Sequence, residues 1–147
     1  MAQNDNVNRI QFVVFSINDQ LYSFQIEEVV EILRVPLITS VPGVHDIIDG
    51  VINLRGSIIP VVNLHKRFSL NQPIAHKKNR IVIVQGEFEN IGLIVEEVQM
   101  VTHFDETDVE PPSGQHIEED IFIGYAKYNK QVIGILNLKK VLYGFER

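Results

Sequence analysis

Residues 51–64 read VINLRGSIIPVVNL, two apolar runs, Val51–Leu54 and Ser57–Leu64, on either side of Arg55-Gly56. Aliphatic and β-branched residues at this density favour strands, and Gly56 supplies the positive φ that a tight reversal needs, so the stretch reads as a β-hairpin. Pro60 has no N–H to give to a ladder, which places it at a sheet edge or bulge rather than in a central strand. The fold class that follows is all-β, built from short strands.

Upstream, Gln11–Ile17 and the alternating Tyr22, Phe24 and Ile26 flank the polar pair Asn18-Asp19 and form a second hairpin. Ile26, Val29, Val30 and Leu33 share the spacing of one helical face, but Val29, Val30 and Ile32 are β-branched. The expectation is one helical turn that passes into a strand near Glu31. Pro36 and Pro42-Gly43 then punctuate an irregular connection. His65–Asn79 reads as a polar link. Near the end, Leu138, Val141 and Leu142 stand at helical spacing ahead of Gly144, predicting a short closing helix over 138–145 that covers a barrel seam. Residues 1–10 (MAQNDNVNRI) offer too little apolar surface to offset ordering entropy and are expected to form a flexible arm.

The second half replays the first. Phe12–Ile32 lies over Ile81–Val101 without a gap, so that Ile26-Glu27-Glu28-Val29 matches Val95-Glu96-Glu97-Val98, 69 residues further on. Val61–Lys66 is echoed by Ile135–Lys140, 74 residues further on. Two Val/Ile-rich stretches can look alike by chance, but these matches keep their order, which favours an internal duplication. Each half then supplies about five short strands, enough for a small barrel that closes its own edges. Residues 11–68 are expected to form the first barrel region and 80–144 the second, with the closing helix, leaving a groove between two barrels within one domain.

The chain has 147 residues, 45% of them hydrophobic, and a formal net charge of −6, so it can bury a core but presents no basic footprint for nucleic acid or anionic membrane. Cysteine is absent, which removes disulfides, thiolate metal sites and cysteine nucleophiles and fits a reducing compartment. The start is polar, and no apolar run approaches the roughly 18 residues that span a bilayer, so a soluble cytoplasmic protein without membrane insertion is expected. His45, His65, His76, His103 and His116 show no metal-ligand spacing and read as isolated surface histidines. Asp105, Glu106, Asp108 and Glu110 lack the glycine and terminal glutamate of a calcium loop and read as a solvated face. With no glycine-rich phosphate loop or nucleophile elbow either, neither catalysis nor a cofactor is expected.

The segment Asn53-Leu54-Arg55-Gly56, followed by Pro60-Val61-Val62-Asn63-Leu64, resembles the signature of the CheW family of bacterial chemotaxis coupling proteins. The resemblance extends from Gln11 to Gly144 and takes in the opening hairpin, Val29–Ile32, the Val41-Pro42-Gly43 turn and the closing Asn137-Leu138. It implies two five-stranded SH3-like barrels with a groove between them. It also implies a non-catalytic adaptor that couples chemoreceptor cytoplasmic tips to the regulatory domain of a CheA-type histidine kinase. Methyl-accepting chemotaxis receptors and that kinase are the implied partners, reached at membrane-associated arrays by a chain that is monomeric on its own. Asn63 departs from the family's usual aspartate, which puts any salt bridge made there in doubt, and Glu97 stands where relatives often carry glycine.

Arg55, at the hairpin tip, has the fork geometry to pair with a carboxylate on a receptor helix or to brace the barrel against Glu31. By resemblance, Glu31, Arg55 and the adjoining Gly56 fall at receptor-coupling positions, and Val29, Val98 and Val101 fall in the inter-barrel groove, where an amphipathic helix would lie. For Gly56 the first role is backbone geometry. Val35, Leu37, Ile38, Val41 and Val44, apolar in a proline-punctuated segment, are candidate kinase contacts. The Glu110-Pro111-Pro112 loop reads as an extended solvated loop and a lesser contact candidate. Two other functions compete: a small-molecule-binding β-barrel, and a detached kinase regulatory domain.

Overall fold

The computed structural model describes residues 10–112 and 121–144. The expected arm lies outside the described residues except for Ile10, as do His116 and the end of the closing segment from Phe145 onward.

The opening hairpin consists of β1 (Gln11–Ile17) and β2 (Gln20–Gln25), joined by Asn18 and Asp19, both at positive φ. Such a two-residue turn matches the twist of the strands it joins. A 3₁₀ turn at Ile26–Glu28 leads into β3 (Val29–Arg34). The strand therefore starts at Val29, two residues before the expected Glu31, because Val29 already pairs with Val84 in the neighbouring strand. After the irregular segment come β4 (Ile48–Leu54), β5 (Ser57–Asn63) and a single helical turn, α1 (Leu64–Arg67). The expected polar link thus begins as helix: the Asn63 Oδ1 accepts the Lys66 N–H at 3.0 Å and caps it. Leu64 opens that helix instead of closing the strand.

The second half follows the same plan. Strands β6 (Arg80–Gln85), β7 (Asn90–Val95) and β8 (Glu97–His103) precede a 3₁₀ turn at Glu106–Asp108. Then come β9 (Val109–Glu110), β10 (Phe122–Tyr128), β11 (Gln131–Leu136) and α2 (Leu138–Tyr143). Asn137 caps α2 through the Lys140 N–H at 3.2 Å, as Asn63 caps α1.

The strands form two sheets, β3-β6-β7-β5-β4 (barrel I) and β8-β1-β2-β11-β10-β9 (barrel II). The division at residues 68 and 80 therefore describes the repeat and not the barrels: each half donates its leading hairpin to the other half's sheet. Alternation along a strand tells which residues face the core, but not which edge the strand will join. The seams are the parallel pairs β5·β7 and β11·β2, which no tight turn can connect and which need a long crossover.

Register confirms that the halves are equivalent. Val61↔Gly92 and Ile135↔Ser23 are the same pair under the 74- and 69-residue offsets, as are Val29↔Val84 and Val98↔Phe15, each beside a register shift. The sixth strand of barrel II, β9, pairs with β10 where barrel I has a lone bridge between Thr39 and Val51. Thr39 lies so close over β4 that a Cβ on Gly50 would stand 2.1 Å from its carbonyl oxygen. Pro60 is not on an edge strand, since β5 runs between β7 and β4. Val51 opposite it gives both backbone groups to Thr39, so the proline nitrogen faces away from β4, just short of the residues where β7 pairs with β5.

Side chains fill each barrel. Ile52, Ile59, Val61, Ile81 and Ile83 are buried inside barrel I; Phe12, Ala126 and Ile135 inside barrel II. The largest cluster draws on both sheets and both helices, including Phe15, Phe24, Val82, Leu93, Leu136 and Val141. The space between the barrels is therefore packed core, and α2 covers the seam by burying Leu138, Val141 and Leu142.

Candidate functional site

The turn between β4 and β5 is tight because Arg55 and Gly56 both adopt positive φ, 51° and 89°. A Cβ on Gly56 would meet nothing within 4 Å, so glycine is needed there for its backbone freedom alone. Its N–H donates to the Asn53 Oδ1 at 3.0 Å, which fixes the turn. Arg55 has no such freedom, and a left-handed conformation costs a residue with a Cβ roughly 1–2 kcal/mol.

That strained position aims the guanidinium at Glu31. The Arg55 Nη2 donates to Oε1 at 2.5 Å and Nη1 to Oε2 at 3.3 Å, a two-pronged pair. Glu31 lies on β3 and Arg55 at the end of β4, the two edges of the five-stranded sheet, so the ion pair spans the mouth of barrel I. The hydrogen bond from Arg55 holds the Glu31 carboxyl below the usual glutamate value, and Glu31 raises the Arg55 guanidinium in turn. The arginine side chain stays 69% exposed, against 29% for the glutamate. Water therefore screens the pair, and its outer surface is open to a partner.

Barrel II carries the same turn with different chemistry. Asn129 and Lys130, at φ 49° and 67°, occupy the places of Arg55 and Gly56, while Met100 occupies that of Glu31. No ion pair spans this mouth among the described residues. Asn129 and Met100 instead border an open, largely polar depression of about 700 Å³ together with Ser16, Asp19 and Leu21.

The remaining candidates separate. Val29 and Val98 are half-buried against the core shared by the barrels, so they sit at its margin, not on a free apolar floor. Val101 is 49% exposed on the face of β8 that Val98 shares, since the register shift between them brings Val101 opposite Val13 and Val98 opposite Phe15. Within the proline-punctuated segment Val35, Leu37 and Val44 are exposed, Leu37 most of all at 85%, whereas Val41 is partly buried and Ile38 packs into barrel I. Val30, Ile32 and Ile58 add exposed apolar surface to the same sheet. Glu110 pairs with Lys127 at 3.2 Å, and Pro111 borders an apolar depression with Phe12, Phe104 and Val109.

Sequence reasoning missed a polar cluster at the foot of β5. His65 is buried, not a surface histidine, and its Nε2 lies 2.6 Å from the Glu96 carboxylate. Asn63 donates through Nδ2 to Asp49 at 3.0 Å and to Gln72 at 2.9 Å while its Oδ1 caps α1. An aspartate could not donate and would set two carboxylates side by side, so the asparagine suits its Asp49 neighbour. The signal was the substitution itself, but Asp49 cannot be paired with it from sequence spacing. Among the described residues, no group of three His, Asp or Glu side chains is placed to hold a metal ion.

Residues 11–146 match the CheW-like domain family. The chain belongs to the CheW family. The chemotaxis protein CheW of Bacillus subtilis is 32% identical over 134 residues, covering 90% of this chain and 86% of the relative. That of Helicobacter pylori is 28% identical over 141 residues, covering 95% and 86%. The crystal structure of the scaffolding protein TtCheW from Thermoanaerobacter tengcongensis superposes with a TM-score of 0.85 at 37% identity, covering 94% of this chain and 92% of that one. The two SH3-like barrels are thus the CheW fold, and the family is one of chemotaxis scaffolds. No described helix of this CheW-family chain is long and apolar enough to cross a membrane.

Proposed function

We propose that this chain is a non-catalytic adaptor that joins the cytoplasmic tips of chemoreceptors to the regulatory domain of a CheA-type histidine kinase. On this reading it resides in the cytoplasm and reaches the membrane only through its partners. The observation that carries it is the Arg55–Glu31 pair, held on a strained turn at an exposed barrel mouth. Glu31 engages two guanidinium nitrogens and fixes the plane of the group. Further N–H donors and the exposed stem remain for a carboxylate on an amphipathic receptor helix. Pre-orientation lowers the side-chain entropy lost on docking. Val29 and Val98 pack half-buried against the core shared by the barrels, while Val101 offers exposed apolar surface beside β1. On the same reading the exposed Val35, Leu37 and Val44, with the partly buried Val41, supply apolar contacts for the kinase domain. Binding, not chemistry, is then the whole activity.

The test mixes purified chain, a receptor cytoplasmic fragment and CheA without any small molecule and measures co-sedimentation. All three components sediment together if the reading is right; a chain that brings down neither partner refutes it.

A further inference from the structure

The two halves are joined by reciprocal strand pairing in addition to their shared core. Strand β1 lies against β8 and β2 against β11, while β6 lies against β3 and β7 against β5, so neither half contains a complete sheet. Under the repeat offsets these contacts coincide pair for pair, including the register shifts at Val29/Glu31 and Val14/Phe15. This is the arrangement of a strand-exchanged dimer of identical units, realised within one chain.

The covalent connection has slack. Asn63 stands opposite Ile94, and Ile94 opposite Ile81, so β5 and β6 are two strand spacings, roughly 10 Å, apart where the link leaves and returns. Phe68 and Leu70 pack on the shared core, but Asn71–Lys78 are all exposed and when extended would reach roughly 27 Å. The bonds that fasten this stretch lie near its ends: Gln72 to Asn63 at one, and Lys77 to Arg80, Lys78 to Glu97 and Asn79 to the Glu96 carbonyl at the other.

We infer that the complement of each half can come from a second copy of this chain, giving a closed dimer in which residues 10–70 of one copy fold with 79–144 of the other through the same strand pairs. With the natural link, closure within one chain wins, because a short flexible tether holds the halves at high effective concentration. Removing the slack reverses this preference, as hinge shortening does in domain swapping.

Deleting residues 71–78 tests the inference. It bonds Leu70, whose N–H is held by the His65 carbonyl at 2.7 Å, directly to Asn79, which is anchored to Glu96. Light scattering on the full-length chain carrying this deletion is expected to give twice the wild-type mass with an unchanged strand signal in circular dichroism. A folded single-mass species overturns the inference. Should the deletion variant fail to fold, the decision passes to the full chain with a protease site inserted between Pro73 and Ile74 and cut after folding. The cut protein is expected to elute as one species. After denaturation and refolding with an isotopically heavy cut copy, it is expected to yield mixed light–heavy pairs. Fragments that part under native conditions, fold singly or do not reassemble overturn it.

Discussion

Barrel I and barrel II share an order of elements, a register and a turn geometry, yet among the described residues only barrel I carries an ion pair across its mouth. Arg55 and Glu31 stand where barrel II has Asn129 and Met100. Backbone pairing is thus the part of the repeat that was kept, because a one-residue slip would turn every core side chain outward. The mouth side chains carry no such constraint. That freedom makes the presence of an arginine on a left-handed turn, where glycine or asparagine would be easier, informative about function.

The barrels also differ inside, and the difference can be broken from both directions. Ile52 in barrel I corresponds to Ala126 in barrel II, where Phe104 packs against Phe12 with the rings tilted and their centroids 4.9 Å apart. Ile52→Ala is expected to cost about 2–5 kcal/mol in denaturant unfolding, since it leaves a cavity at a site only 1% exposed. Ala126→Ile is expected to cost about 1–3 kcal/mol by overpacking the smaller core. A silent Ala126→Ile would mean that barrel II has room that its packing denies.

The two helix caps sharpen the comparison at lower energy. Asn63→Asp places a second carboxylate beside Asp49 and removes a donor, for an expected loss of about 1–3 kcal/mol at neutral pH. This loss shrinks as acid protonates the pair, because the folded state then binds a proton more tightly than the unfolded one. Asn137→Asp keeps its cap acceptor and is expected to change stability by less than about 0.5 kcal/mol. Equal losses at the two sites, read from urea midpoints at pH 7, would remove the Asp49 explanation.

The smallest effect concerns the mouth itself. Glu31 titrates below the ordinary glutamate value of 4.5 when folded, so its contribution is full above that value and is lost as pH falls through the lower folded value. Comparing Glu31→Gln with wild type between pH 6 and pH 2 is expected to show a small stability difference that disappears toward the acid end. A difference that grows in acid would contradict the pairing.

The hairpin turns were legible in the sequence because their chemistry is local: Asn18-Asp19 and Arg55-Gly56 are turn residues between alternating apolar runs. The closing helix was legible for the same reason. The exchange of hairpins was not, since side-chain alternation is identical whichever sheet a strand joins. Pro60 correctly signalled a missing donor but pointed to the wrong strand position, because a proline is also tolerated where pairing on one side stops short. His65 was read as a surface residue because its partner, Glu96, lies in the other half of the repeat. The sequence allows Arg55 two partners, Glu31 or a carboxylate on a receptor helix; that the Glu31 pair closes the mouth follows only from β3 and β4 being the edges of one sheet.

The claim that coupling belongs to the mouth of barrel I is tested most directly by titrating a receptor cytoplasmic fragment against wild type, Arg55→Ala and Asn129→Ala, with circular dichroism confirming that each is folded. Loss of an anchoring arginine is expected to weaken binding on the order of tenfold or more, while Asn129→Ala binds like wild type. Equal affinity for Arg55→Ala and wild type, or an equal loss in both variants, would contradict the account.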